Sequence, residues 1–175
     1  MLELSLHILD LVENAIRAKA SVIVVEIEEH ERDDTLAIRV EDDGPGLPVS
    51  AEKAMDPFFT TKSGKKTGLG LSLFRAATEA AGGELRIGRS ALGGVAVCAA
   101  MQLSHVDRAP LGDLAGTLAG MVCTNPEVEF RCRVATDGGT REASSATLPC
   151  AGGSVFSGAR AFETAVRGLL EGTRC

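Results

Sequence analysis

Three clusters in the 175-residue chain have the residue types and spacing to do chemistry. The first is Asp10, Asn14 and Arg17, with His7 one turn earlier; steps of three and four residues place them on one side of a helix. The same stripe is what the wet face of any amphipathic helix looks like, and a histidine on it is expected at the helix surface. The second is Asp42-Asp43-Gly44-Pro45-Gly46 at the end of a β-branched run, and the third is Thr67-Gly68-Leu69-Gly70-Leu71-Ser72 at the start of a helical pattern. Each has a physical role with a nucleotide. A carboxamide such as Asn14 offers a neutral oxygen to Mg²⁺, which takes hard oxygen ligands and keeps several waters while bridging phosphates. A carboxylate such as Asp42 accepts a hydrogen bond from an exocyclic amine, which selects adenine over guanine. Gly44 and Gly46 let the backbone come close to a ligand. Gly68 and Gly70 open a helix whose free N–H groups suit phosphate oxygens, with Lys62, Lys65 and Lys66 nearby as point charges.

Around these residues the pattern predicts a helix over about 6–19, then strands at Val22–Glu28 and Leu36–Glu41 joined by the charged turn His30–Asp34. Residues 47–67 have little periodicity and read as a lid. A helix follows over Leu69–Ala81, closed by Gly82-Gly83, and then strands Glu84–Arg89 and Val95–Leu103. This order predicts an α+β fold, a two-layer α/β sandwich with a mixed, largely antiparallel sheet and helices on one face. All five lysines precede His105, and the boundary falls there: residues 1–104 form the main domain and 105–175 a small α/β appendage packed on it. The appendage reads as a helix around Leu111–Val122, a strand around Val128–Val134 and a last helix around Phe162–Leu170. Its Arg131, Arg133 and Arg141 read as a solvated strand face, with a docking surface as the alternative.

Several classes are excluded or disfavoured. A net charge of −6 and a pI near 5.1 remove any general pull toward nucleic acid or anionic lipid. The longest apolar run, Val95–Met101, is far short of the roughly 20 residues that cross a bilayer. No secretory leader is read at the start, so a cytoplasmic location is expected. The five cysteines form no C-x-x-C pair and no cluster with histidine, so they are expected to be reduced and mostly buried. A P-loop fails because Phe59 and Lys66 stand where Gly and Ser or Thr are needed, and neither G-x-G has the third glycine of a dinucleotide fingerprint.

In combination the clusters resemble the GHKL superfamily of gyrase-type, chaperone, histidine-kinase and MutL ATPases, over residues 1 to about 104. Leu9–Ile16 is similar to its N box, Asp42–Gly46 to its G1 box, Asp56-Pro57-Phe58-Phe59-Thr60-Thr61-Lys62 to its F box and Thr67–Ser72 to its G2 box. The F and G2 boxes look most like those of the histidine-kinase-type ATP-binding domain. The resemblance implies a Bergerat fold and an ATP site built from Asn14, Arg17, Asp42, Gly44, Gly46, Lys62, Thr67, Gly68, Leu69, Gly70 and Leu71. In it Asn14 holds Mg²⁺, Asp42 meets the adenine amine, Gly46 lies beside the base, and Gly68 and Gly70 meet the phosphates. Phe58 and Phe59 would pin the lid or serve as ordinary core residues.

The chain departs from the family pattern at three places. Leu92-Gly93-Gly94-Val95 replaces the usual G-x-G-T, so the Thr contact to adenine is missing. Asp10 stands where hydrolysing branches carry Glu, one methylene shorter than a general base there would be. None of the three histidines sits in a phosphoacceptor motif. The leading expectation is therefore a Mg·ATP-binding domain that phosphorylates or regulates an unidentified protein partner in trans. The alternatives are a conformational switch that hydrolyses ATP with Asp10 as general base, and a nucleotide-binding adaptor without turnover.

Overall fold

The computed structural model describes residues 3–47, 69–148 and 154–174. Their elements run α1 (Leu4–Arg17), β1 (Val22–His30), β2 (Thr35–Asp42), α2 (Leu69–Ala80), β3 (Glu84–Arg89), β4 (Val95–Gln102), α3 (Leu114–Thr124), β5 (Glu129–Thr136), β6 (Gly139–Ser144) and α4 (Val155–Leu170). The expected lid, with Phe58, Phe59, Lys62, Lys65, Lys66, Thr67 and Gly68, lies outside the described residues.

The strands form one six-stranded sheet in the order β3-β4-β2-β1-β5-β6. Every neighbouring pair is antiparallel except β1 and β5, which run parallel from Val22↔Glu129 to Glu29↔Thr136. The alternation of the central strands sets the layers. Val25, Ile27, Ile38, Val40, Val97, Ala99, Cys132 and Val134 pair across strands on one face and merge with Leu4, Ile8, Val12, Phe74, Leu118 and Phe162 of the helices in a single core. The intervening residues put charged side chains among small apolar ones on the other face. There Glu26 lies in register between Arg39 and Arg133, and Arg133 reaches Glu26 at 3.3 Å and Glu142 at 2.8 Å. The fold is thus the expected α+β sandwich with a largely antiparallel mixed sheet.

Residues 105–174 extend this sheet by two strands. Periodicity identifies β5 but gives no sign of β6, whose Gly139-Thr140-Arg141-Glu142 is exposed and polar throughout. The three arginines of this segment have local structural partners. Arg131 pairs with Glu129, Arg133 with two glutamates, and Arg141 donates to the Gly168 and Leu169 carbonyls at the end of α4. The segment also starts the first helix, because the N–H groups of Leu4 and Ser5 donate to the carbonyls of Pro110 and Leu111 at 2.9 and 2.8 Å. Helix starts leave such donors without intrahelical partners, and here the chain preceding α3 supplies the acceptors.

Candidate functional site

Helix α1 owes its position to apolar residues at Leu4, Ile8, Leu11, Val12 and Ala15, which bury one side and leave Asp10, Asn14 and Arg17 on the other. Its last turn closes through Lys19 at φ +65°, with Ala20 N–H donating to the Ala15 carbonyl at 3.1 Å. The end of α1 then abuts the Asp42–Gly46 loop: a Cβ on Gly44 would lie 3.6 Å from the Ala18 carbonyl oxygen and 2.9 Å from Asp42 Oδ1. Farther up the helix, Asp10 faces α2. A Cβ on Gly70 would approach Asp10 Cβ and Oδ2 at 3.1 Å, so the glycine allows the two helices to close at the level of Asp10. One side of α1 therefore spans the interval between the loop after β2 and the start of α2, with Asn14 between them.

Asp42 is 8% exposed at the end of β2. Its Oδ1 accepts hydrogen bonds from Gly44 N–H at 2.8 Å and Val95 N–H at 3.3 Å, while Oδ2 accepts none among the described residues. The β3–β4 turn is shaped around it. Ser90 Oγ accepts from Leu92 N–H, Ser90 N–H donates to the Gly94 carbonyl, and Gly93 takes φ +113°. Gly94 N–H donates to the Asp42 carbonyl at 3.1 Å, and a Cβ on Gly94 would lie 2.0 Å from Asp42 Oδ1. Gly94 and the Val95 amide belong to the site for this reason. The glycine pair was visible in the sequence, but its role depends on a contact fifty residues away.

Asn14 is exposed; its Oδ1 accepts from Arg17 Nη1 at 3.0 Å, and Arg17 reaches Glu13 at 3.6 Å. Gly46 takes φ +87°, a conformation open to glycine at little cost. Leu69 is the first residue of α2, and Leu71 packs partly buried against the core. The structure thus joins Asp10 to Gly70, and Asp42 to Gly44; Lys62, Thr67 and Gly68 lie outside the described residues.

His7 departs from its expected place. It is 2% exposed and stacks on Phe74 of α2, with ring centroids 5.1 Å apart and planes 13° apart. Among the described residues neither ring nitrogen has a hydrogen-bond partner, and burial lowers its pKa to about 4. The helical wheel places His7 at the margin of the polar stripe, and α2 covers that margin. The cysteines meet expectation in part: Cys132 is buried, while Cys98 and Cys123 are half-buried. Among the described residues no three His, Cys, Asp or Glu side chains cluster to hold a metal, and no helix is long and apolar enough to cross a membrane.

Comparison with known proteins bears on this arrangement. Residues 2–105 match the family described as histidine kinase-, DNA gyrase B- and HSP90-like ATPase. The sensor protein kinase FleS of Pseudomonas aeruginosa is 40% identical over 57 residues, covering 32% of this chain and 14% of FleS. The ATP-binding domain of PrrB from Mycobacterium tuberculosis aligns with TM-score 0.43 and 19% identity over 56% of this chain and 66% of that one. The N-terminal domain of a DNA repair protein aligns with TM-score 0.52 and 14% identity over 98% of this chain and 59% of that one. This last likeness is one of fold, and it runs through the C-terminal strands. The chain spans a small part of FleS and less than two thirds of either solved structure. From the match over residues 2–105, the chain belongs to the histidine kinase-, DNA gyrase B- and HSP90-like ATPase family.

Proposed function

We propose that the chain binds Mg·ATP between α1, the Asp42–Gly46 loop and the start of α2, and serves a partner protein in trans, as phosphoryl donor or as regulator. The observation that carries this reading is Asp42. Among the described residues its buried carboxylate keeps one oxygen out of every hydrogen bond, beside a loop and a turn rich in glycine. That oxygen accepts the exocyclic amine of adenine, and a guanine carbonyl at the same place is repelled. Gly44, Gly46 and Gly94 keep side chains away from the base, and Lys62, Thr67, Gly68, Leu69, Gly70 and Leu71 serve the phosphate end.

The residues fit a magnesium ion carried on phosphates. Asn14 would supply a neutral oxygen, the one that accepts from Arg17 Nη1 at 3.0 Å, and Asp10 lies one turn away on the same helix. When bound, such an ion would offset the charge of the phosphates. The protein's own contribution is positioning and charge stabilisation, as phosphoryl transfer requires.

None of the three histidines sits in a phosphoacceptor motif. His7 is buried, His30 pairs with Asp137 at 3.2 Å, and His105 Nδ1 accepts from Asp107 N–H. In this reading the partner supplies the acceptor. One observation favours a second reading, an ATP-hydrolysing switch: Asp10 packs against Gly70 at the start of α2, where a carboxylate can polarise a water. Phosphate release from Mg·ATP by the wild type and Asp10→Asn, with binding measured in both, separates the readings. The expected result is binding without turnover in either and no acid-labile phosphate on the chain. Turnover that vanishes in an Asp10→Asn protein that still binds supports the switch, and absence of binding in the wild type overturns both.

A further inference from the structure

Asp43 is adjacent to Asp42 and has a separate set of contacts. Its Oδ1 accepts hydrogen bonds from the backbone N–H groups of Ser21 at 2.7 Å and Val22 at 2.9 Å, and its own N–H donates to the Val22 carbonyl at 3.3 Å. The loop that carries Asp42, Gly44 and Gly46 is thereby tied in both directions to the first residue of β1. The peptide unit between Ser21 and Val22 has a partner on its other side as well. Its N–H is the one that Val22 gives to Asp43, and its carbonyl accepts from Glu129 N–H, at the start of β5, at 2.8 Å. Hydrogen bonds at the two ends of one peptide unit polarise and strengthen each other. Glu129 is in turn held by Arg131 Nε at 2.7 Å and Ser144 Oγ at 2.8 Å.

We propose that Asp43 is a positioning residue for the adenine end of the site, and that the Ser21–Val22 peptide links this loop to β5 of the C-terminal segment. Glycines make the loop mobile unless something fixes it, and a base-reading oxygen must be aimed to within about 0.5 Å to be useful. Asp43 supplies the fixing contacts without touching the nucleotide. Residues 105–174 thereby serve the site, because Glu129 orders the peptide that Asp43 grips. This rests on the reading of Asp42 as the adenine acceptor.

The test is calorimetry on the whole chain with adenosine and with ATP as probes, for the wild type, Asp43→Ala, Asp43→Asn and Asp42→Asn, together with amide exchange at Glu129. Asp43→Ala is expected to weaken adenosine and ATP equally, by about tenfold, the value of one net hydrogen bond. Asp43→Asn keeps an Oδ1 acceptor and is expected to restore affinity to within about twofold. Adenosine is expected to slow exchange of the Glu129 amide in the wild type and not in Asp43→Ala. Wild-type affinity in Asp43→Ala, while Asp42→Asn loses binding, overturns the proposal. So does a loss in Asp43→Ala and Asp43→Asn alike that follows a lowered melting temperature, since that marks a structural role only. If Asp42→Asn also binds like the wild type, the adenine reading has failed and the proposal falls with it.

Discussion

Asp42 and Glu29 are both buried carboxylates, 8% and 3% exposed, and they lie at opposite ends of the β1–β2 pair. Both oxygens of Glu29 accept from Arg174 N–H, at 2.8 and 2.9 Å, and so hold the end of the chain against the sheet. Nearby, both oxygens of Asp34 are taken by Gln102 and Ser104, which tie the β1–β2 turn to the end of β4. At the other end Asp42 gives one oxygen to two backbone amides and keeps the second clear of the described residues. A carboxylate buried in protein needs hydrogen bonds to offset its lost hydration. Where the fold satisfies both oxygens the group is a clasp; where it satisfies one, the fold leaves room for a ligand's donor.

Substitutions at the two ends test this contrast. The largest effect is expected from Gly94→Ala, which drives a methyl into Asp42 Oδ1 and the backbone of Gly44. A loss of about 3 kcal/mol in urea unfolding, with nucleotide binding lost as well, is the expected outcome. A variant of unchanged stability breaks the account of how the turn shapes the site.

Next comes His7, buried beside the Asp10 turn. Its folded pKa is lowered to about 4, against 6.5 for an ordinary histidine, so between these values the unfolded chain binds more protons than the folded one. Stability contributed by neutral His7 is complete above pH 6.5 and falls as the pH drops toward 4. Between pH 6.5 and 5 the loss is about 2 kcal/mol. Chemical unfolding at the two pH values checks it: His7→Phe keeps the stack on Phe74 and is expected to flatten the dependence by that amount. The smallest effect is expected at the clasp. Glu29→Gln weakens the hold on Arg174 and costs about 1 kcal/mol of stability, with ATP affinity unchanged within about twofold. A large drop in affinity there erases the distinction between the two ends.

Much of this arrangement was legible in the sequence, for reasons that differ by element. α1, β1, β2, α2, β3 and β4 follow from periodicity closed by Gly82-Gly83 and the Asp42–Gly46 turn, and the two-layer sheet follows from their order. β6 was not, because four exposed residues are followed by the buried pair Ala143 and Ser144, with no alternation to mark a strand. The parallel pairing of β1 with β5 is a contact across more than a hundred residues, beyond the reach of local pattern. For the site, Asp10, Gly70 and the turn at Asp42 are named by residue type, whereas the approach of Asp10 to Gly70, and the parts played by Gly94, the Val95 amide and Asp43, come from neighbours that the fold supplies. His7 was misplaced because its surroundings come from Phe74 on another helix.

The central claim is that the uncommitted oxygen of Asp42 receives adenine, and calorimetric titration of adenosine and guanosine into the wild type and Asp42→Asn tests it most directly. The account predicts that adenosine binds the wild type, that guanosine does not, and that Asp42→Asn, which can still accept from Gly44 and Val95, weakens adenosine by about 100-fold with little change in melting temperature. Equal binding of the two nucleosides, or unchanged adenosine affinity in Asp42→Asn, would contradict it.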